Sequence, residues 1–105
     1  MQFVETPVFT RQIEDLLELD EYRVLQIALV LRPQQGALIP GTGGLRKLRW
    51  RSSGRGKRGG LRLIYYWDRK RSVTYLLLAY PKNAQEDLSP EQKRILTQLV
   101  REELK

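Results

Sequence analysis

A run of cations in the middle of the chain is the feature best suited to chemistry. Eight basic residues occur within 17 positions, with no acidic residue among them: Arg46, Lys47, Arg49, Arg51, Arg55, Lys57, Arg58 and Arg62. Because like charges this close repel one another, we expect a polyanion or an acidic partner to neutralise them. A solvated face or a flexible basic loop is the plainer interpretation, and it explains so dense a run less well.

The net charge of +7 comes entirely from this part of the chain. Residues 1–41 contain 3 basic and 6 acidic residues, residues 42–71 contain 11 and 1, and residues 72–105 contain 5 and 5. The three segments therefore carry charges of −3, +10 and 0. This distribution predicts one concentrated binding surface for an anion rather than a uniformly basic protein.

The chain contains neither histidine nor cysteine, which limits its chemistry. Cys/His zinc sites, thiol nucleophiles, disulfides and an imidazole base are excluded. Catalysis would have to use lysine, arginine, tyrosine or carboxylates, and we expect no cofactor and no metal. Five carboxylates lie on predicted helix faces that we expect to be solvated, without aligned partners: Glu14, Asp15, Glu18, Glu102 and Glu103.

The length of 105 residues predicts a single domain spanning residues 1–105, and 41% apolar residues are enough to form its core. No basic segment followed by an apolar run opens the chain, and no stretch approaches 18 uncharged apolar residues. We therefore expect a soluble cytoplasmic protein that makes no contact with a membrane.

Periodicity and capping residues predict the elements that must position the cations. In order, they are helices over 6–18 and 20–32, a loop over 33–44, strands over 45–51, 61–67 and 73–80, and a helix from Ser89. Thr6 and Asp20 are suited to cap the first two helices, and Ser89 with Gln92 forms a capping-box pattern. Gln2–Glu5 could add an edge strand.

The predicted fold class is α+β, with an N-terminal helical hairpin, an antiparallel β meander and a C-terminal helix in one compact domain. In the first strand of the meander, Leu48 and Trp50 alternate with Lys47, Arg49 and Arg51. Alternation along a strand places the apolar pair on one face of the sheet and the three cations on the other. The cationic face is therefore expected to lie outside the core.

Three glycines, Gly54, Gly56 and Gly59, formally match a dinucleotide-binding pattern. That pattern requires a strand before it, a helix after it and an acidic residue about 20 positions on, whereas here a strand follows and the acidic residue is missing. The glycines fit either a plain flexible turn or a hairpin loop whose backbone approaches a phosphate closely. The cations between them favour the second interpretation.

Two tyrosines are placed near the cations. Tyr66 shares a strand face with Arg62, although most aromatic residues on these strands are expected to be core. Tyr80 ends a strand just before Lys82, and a phenol beside an ammonium is a site-like arrangement for which a purely structural tyrosine is the rival explanation.

Three stretches of the sequence resemble the HigB-like branch of the RelE toxin superfamily. They are GTGGLRKLR at 41–49, GRGKRGGLRLIYY at 54–66, and YPKN at 80–83 with Asp87 and Leu88 following. With weaker matches near residues 3–9 and 21–26, the resemblance covers nearly the whole chain. It implies an mRNA-cleaving toxin of a type II toxin–antitoxin pair, with a compact RelE-like fold, acting on mRNA in the ribosomal A site. The implied partner is a HigA-like helix-turn-helix antitoxin, through whose complex alone the toxin would meet operator DNA.

The resemblance also assigns roles to individual residues. It makes Arg62 the arginine that stabilises the transition state and Lys82 the cation after the last strand. Members of the best-studied branch carry a tyrosine near the start of the last helix, whereas this chain has none after Tyr80, so Tyr80 is the substitute and the expected proton donor. From the cationic cluster itself we expect the base to be Lys57 or Lys82, since neighbouring like charges favour the neutral form of a lysine. The remaining cations are expected to bind RNA phosphates: Arg46, Lys47, Arg49, Arg51, Arg55 and Arg58.

Two other functions fit parts of the sequence. A non-catalytic RNA- or ribosome-binding module would need only the basic surface. A DNA-binding regulator is disfavoured, because none of the predicted helices is the basic recognition helix that such a protein requires.

Overall fold

The computed structural model of the protein describes residues 1–51 and 60–105. In chain order its elements are β1 (Gln2–Glu5), α1 (Pro7–Leu16), α2 (Leu19–Leu31), β2 (Ala37–Leu38), β3 (Leu45–Trp50), β4 (Leu61–Asp68), β5 (Val73–Pro81) and α3 (Pro90–Leu99). A π-helical turn over Val100–Leu104 continues α3. The predicted α+β class is confirmed. None of the helices in these two ranges is long and apolar enough to cross a membrane.

The strands form one sheet in the order β1-β5-β4-β3-β2. As predicted, β3, β4 and β5 form an antiparallel meander, and Gln2–Glu5 is an edge strand. The sheet is nevertheless mixed rather than wholly antiparallel, because β1 runs parallel to β5. The prediction of loop over 33–44 missed β2, whose two residues pair with Lys47 and Arg46 of β3.

The helix starts follow from their caps, with one exception. The Thr6 hydroxyl accepts a hydrogen bond from the Phe9 amide, and Ser89 forms the predicted capping box of α3. The prediction of Asp20 as the cap of α2 is wrong, since Glu18 occupies that position and α2 begins at Leu19. Leu17, between the two helices, is buried in the core. The turn therefore has only two residues, and α2 starts earlier in the chain than predicted.

A hydrophobic cluster lies on each face of the sheet. On one face, α1 and α2 cover β-strand residues that include Leu48, Leu63 and Tyr65. On the other, residues of the π-helical turn pack with Leu45, Ile64 and Leu78. Because side chains alternate along a strand, this second face also carries Lys47, Arg49 and Arg62. The cations therefore share a face with part of the core.

A β-bulge in β5 determines on which face of the sheet the side chains at the end of that strand lie. Ile64 of β4 pairs with Leu78 and Tyr65 pairs with Leu76, so Leu77 is an extra residue in β5. Leu77 and Leu78 consequently both contact the cluster on the α3 face. The extra residue inverts the alternation beyond it, so Tyr80 also lies on the α3 face, with Arg62.

Candidate functional site

Three of the predicted site residues lie in one row across the sheet. Arg62 in β4 is the register partner of Arg49 in β3 and of Tyr80 in β5. Residues directly opposite one another on neighbouring strands place their side chains on the same face, a few ångströms apart. The row thus brings together two guanidinium groups and a phenol from three separate parts of the sequence.

Arg62 is the centre of this row and is almost completely buried. Its Nε donates to Glu86 Oε2 at 2.6 Å and its Nη2 donates to Glu86 Oε1 at 3.0 Å. Its Nη1 is 3.4 Å from the Leu61 carbonyl oxygen. A buried guanidinium needs a counter-ion, and a two-point contact with a carboxylate is the strongest form of that pairing.

The same contact determines the protonation of both partners. The hydrogen bonds that Arg62 donates to the Glu86 carboxylate raise the pKa of Arg62, although burial opposes the rise. The hydrogen bond from Arg62 lowers the pKa of Glu86 to about 2. At neutral pH the pair therefore consists of a guanidinium and an ionised carboxylate.

Tyr80 contributes a buried phenol to the site. Its hydroxyl donates to the Glu86 carbonyl oxygen at 3.3 Å. Burial raises the pKa of Tyr80, and the carboxylates of Asp87 and Glu86 raise it further, against the opposing effect of Arg62. The phenol is accordingly protonated at neutral pH, which is the state that a proton donor requires.

Lys47 forms a second ion pair with the same segment of the chain. Its Nζ is 2.5 Å from Asp87 Oδ1 and 3.5 Å from the Glu86 carbonyl oxygen. Two consecutive acidic residues between β5 and α3 therefore contact two cations of the sheet face. No group of three or more His, Cys, Asp or Glu residues suited to a metal ion occurs within residues 1–51 and 60–105.

A small cavity beside this row is lined almost entirely by cations. Its volume is about 220 Å³, and its lining residues are Arg49, Trp50, Arg51, Arg62 and Lys82. A larger hollow of about 500 Å³ lies beside β2 and shares Arg49 with the first. Arg49 thus joins two hollows, and Lys47 lines the second of them. We call the two hollows together the cationic track. Its cations are Lys82, Arg62, Arg51, Arg49 and Lys47, and uncharged residues and Asp87 also line its second part.

The fold has relatives among solved structures, although no protein-family model matches the sequence. The toxin RelE of E. coli, solved in the free state as a double arginine mutant, shares 19% identity with this chain. The match covers 81% of this chain and 86% of RelE, with a TM-score of 0.53. The chain has the RelE fold. A conserved hypothetical protein of Helicobacter pylori also matches, at 12% identity over 79% of this chain and 96% of that protein, with a TM-score of 0.54.

The RelE fold confirms the predicted architecture and brings most of the predicted site residues together. Arg62, Tyr80, Lys82, Lys47, Arg49 and Arg51 all contribute to the row or to the two hollows beside it. Their roles in binding or catalysis, and the assignment to the HigB-like branch, stay predictions. Three predicted residues, Arg55, Lys57 and Arg58, lie outside the described residues.

Arg46 does not belong to the predicted RNA-binding face. It pairs in register with Tyr65, whose side chain lies in the cluster under α1 and α2. Its Nη1 donates to the carbonyl oxygens of Gln34 and Gly36, at 2.9 and 2.8 Å. Strand alternation is the physical reason, because Arg46 falls on the same side as Leu48 and not on the side of Lys47. Arg46 holds the loop before β2 on the opposite face.

Sequence reasoning missed the two residues that contact the cations, Glu86 and Asp87. Neither forms part of a helical pattern, and the carboxylates considered as candidates were all on helices. A usable signal was present, since a cation that the strand pattern places next to core residues must have a counter-ion nearby. The acidic pair follows the end of β5, where Tyr80 lies opposite Arg62.

Proposed function

We propose that this chain is the endoribonuclease toxin of a type II toxin–antitoxin pair, of the HigB-like branch of the RelE superfamily. The observation that carries the proposal is Arg62, a buried guanidinium in a RelE fold, beside a cavity whose other charged lining residues are Arg49, Arg51 and Lys82. Such a cavity attracts a phosphodiester and stabilises the extra negative charge that forms during its cleavage.

In this proposal the substrate's own 2′-hydroxyl is the nucleophile. The 2′-oxygen bonds to the adjacent phosphorus and the bond from phosphorus to the 5′-oxygen breaks, leaving a 2′,3′-cyclic phosphate and a 5′-hydroxyl. Arg62 stabilises the pentavalent phosphorus with fixed planar donors. Tyr80 gives its proton to the departing 5′-oxygen.

The residue that removes the proton of the 2′-hydroxyl is Lys82 or Lys57. Lys82 is exposed and lines the cavity together with Arg62, which supports its assignment as the base. Neither histidine nor a metal takes part in this scheme. Arg49, Arg51 and Lys47 bind the phosphates on either side of the cleaved bond.

The proposed setting is the cytoplasm, with mRNA in the ribosomal A site as substrate. A HigA-like helix-turn-helix antitoxin neutralises the toxin, and the toxin meets operator DNA through that complex. The RelE fold supports this setting, and the cationic track along the sheet face supports an RNA substrate.

Arg62→Ala tests the proposal, with Arg71→Ala as a matched control. Arg71 is also an arginine of the basic segment, but it is exposed in the turn after β4 and pairs with Asp68. Each variant is expressed under induction, and the ends of cellular mRNA are mapped by primer extension. The wild-type chain and Arg71→Ala are expected to arrest growth and cut mRNA, whereas Arg62→Ala loses both effects and keeps most of its RNA affinity.

Two results would change the proposal. Cleavage by Arg62→Ala at the wild-type rate would remove Arg62 from the mechanism. The other result is that cells expressing the wild-type chain keep growing with their mRNA uncut, while the purified chain still binds RNA or ribosomes. That result would establish the non-catalytic binding module. The contact between Glu86 and Arg62 favours that second function, because an arginine already paired is a weaker electrostatic catalyst.

A further inference from the structure

We infer that Arg62 and Lys47 are two phosphate subsites that the chain's own carboxylates, Glu86 and Asp87, occupy until single-stranded RNA displaces them. The inference rests on the proposed function for the identity of the ligand. It adds to that function a competition inside the protein, in which two acidic side chains hold the places of two phosphates.

The exposures of the four side chains show which partner of each pair is fixed. The Arg62 side chain is 7% exposed, whereas Glu86 is 50% exposed. Lys47 is 13% exposed, whereas Asp87 is 76% exposed. In both pairs the cation is set into the sheet face and the carboxylate covers it from the solvent side. The small cavity also touches Arg62, but an anion can take its Nε and Nη2 donors only where Glu86 gives way. In the same way, an anion can take the Lys47 ammonium fully only where Asp87 gives way.

A phosphate of RNA can replace the Glu86 carboxylate on Arg62 without leaving the guanidinium unpaired. Carboxylates and phosphates accept the same two-point hydrogen bonds from a guanidinium, and both carry the charge that a buried cation needs. Arg62 therefore keeps a counter-ion before and after RNA binds. A buried arginine without any partner would destabilise the free protein strongly.

The segment that carries both carboxylates is attached at its two ends. At its start, the Lys82 amide donates to the Gly60 carbonyl oxygen at 3.2 Å. At its end, Ser89 caps α3, and the Gln85 side chain reaches Gln92 at 2.8 Å. Between these attachments the Asp87 carbonyl oxygen accepts from Gln85 at 2.9 Å, whereas the Glu86 carbonyl oxygen accepts only long hydrogen bonds, at 3.3 Å from Tyr80 and 3.5 Å from Lys47. The two side-chain carboxylates themselves contact Arg62 and Lys47. The carboxylates can leave the cations while the sheet and α3 stay folded.

This competition lowers the affinity for every polyanion and favours a ligand that fills both subsites together. A single phosphate replaces one carboxylate, whereas a strand with neighbouring phosphates replaces both. Apparent affinity falls by the fraction of molecules in which the subsites are open. The paired acids therefore act against non-specific binding by a chain whose net charge is +7.

A double substitution tests the inference by binding alone. Glu86→Gln with Asp87→Asn keeps the shape of both side chains and removes their charges. The matched control is Glu14→Gln with Asp15→Asn, an adjacent exposed pair of the same types on α1. The probe is a fluorescent single-stranded RNA with 2′-O-methyl groups throughout, which lacks the attacking hydroxyl and is not cut. Its dissociation constant is measured by anisotropy at several salt concentrations.

The site variant is expected to bind the probe roughly 10-fold more tightly than the control, which has the same net charge. Equal affinity in the two variants overturns the inference. Weaker binding by the site variant also overturns it, and would make Glu86 a residue that holds Arg62 in place for the phosphate. If the double variant does not fold, as judged by circular dichroism, Asp87→Asn alone replaces it, with an expected gain of about 3-fold over Asp15→Asn.

The outcome is separable from that of the proposed function. If induction of the wild-type chain cuts no cellular mRNA while the site variant binds the probe more tightly, the two phosphate subsites are supported and the proposed enzyme activity is refuted. If the wild-type chain cuts mRNA and the site variant gains no affinity for the probe, the proposed enzyme activity is supported and the inference of the two subsites is refuted.

Discussion

Arg62 and Glu86 form a two-point ion pair in which the cation is buried and the carboxylate is half exposed. The pair joins the second strand of the meander to the segment before the last helix, 24 residues further along the chain. It links the stability of the fold to the state of the candidate site, because the residue proposed to stabilise the reaction also carries a structural charge.

The pair makes stability depend on pH in the acid range. The pKa of Glu86 is about 2 in the folded chain, against an ordinary value of 4.5. Because the folded value is the lower one, the stabilisation is complete above the ordinary pKa and is lost as the pH falls toward the folded value. Thermal unfolding is measured from pH 7 down to about 2.5. We expect a gap in melting temperature, with wild type above Glu86→Gln at pH 7, and we expect this gap to close as the pH falls. Glu14→Gln is the control, and a gap that stays constant over this range would contradict the linkage.

Lys82→Arg separates the charge of the lysine from its capacity as a base. Arginine keeps the positive charge but does not release its proton, so RNA affinity should stay within about 3-fold of wild type while cleavage falls by roughly 10²–10⁴. Single-turnover cleavage and anisotropy titration measure the two effects. Lys70→Arg, in the exposed turn after β4, is the control. Unchanged cleavage in Lys82→Arg would transfer the role to Lys57, where the same substitution applies.

Arg49 and Arg46 should differ in their effect on RNA binding, although they lie three positions apart. Arg49 lines both hollows of the track, whereas Arg46 lies on the opposite face of the sheet. Arg49→Ala is expected to reduce the slope of affinity against salt by about 0.7, the contribution of one phosphate on a single strand. Arg46→Ala should leave the slope unchanged. An equal reduction in both variants would mean that RNA does not follow the track.

Gly60 should tolerate alanine much less well than Gly41. Both have a left-handed backbone, with φ of +77° and +75°. A Cβ at Gly41 meets nothing within 4 Å, whereas a Cβ at Gly60 overlaps the Trp50 carbonyl oxygen. Gly41→Ala should lower the free energy of unfolding by about 1–2 kcal/mol through the backbone alone. Gly60→Ala should lower it by about 1–3 kcal/mol more through the clash, and urea denaturation measures both.

Equal losses at the two glycines would show that the start of β4 can shift to accommodate the methyl group. That result would matter for the site, because Gly60 comes two residues before Arg62 and its carbonyl oxygen accepts the Lys82 amide. A shift there would move two proposed site residues together.

Much of the fold could be predicted from local patterns. Thr6 and Ser89 cap their helices. Alternating apolar and polar residues mark β3, whereas runs rich in apolar and aromatic residues mark β4 and β5. These features depend on neighbours within a few positions, where backbone geometry and side-chain chemistry act directly. The same alternation placed Lys47 and Arg49 together on one face, and it could also have excluded Arg46.

By itself, the sequence determined which residue types were available, where the positive charge is concentrated, and which face of each strand its cations use. Only the tertiary structure decided that β1 pairs in parallel with β5, that the bulge at Leu77 turns Tyr80 toward Arg62, and that Glu86 and Asp87 cover two cations. Those ion pairs join residues 24 and 40 positions apart. Such contacts follow from how distant segments pack around buried charge, and no local period in the sequence encodes them.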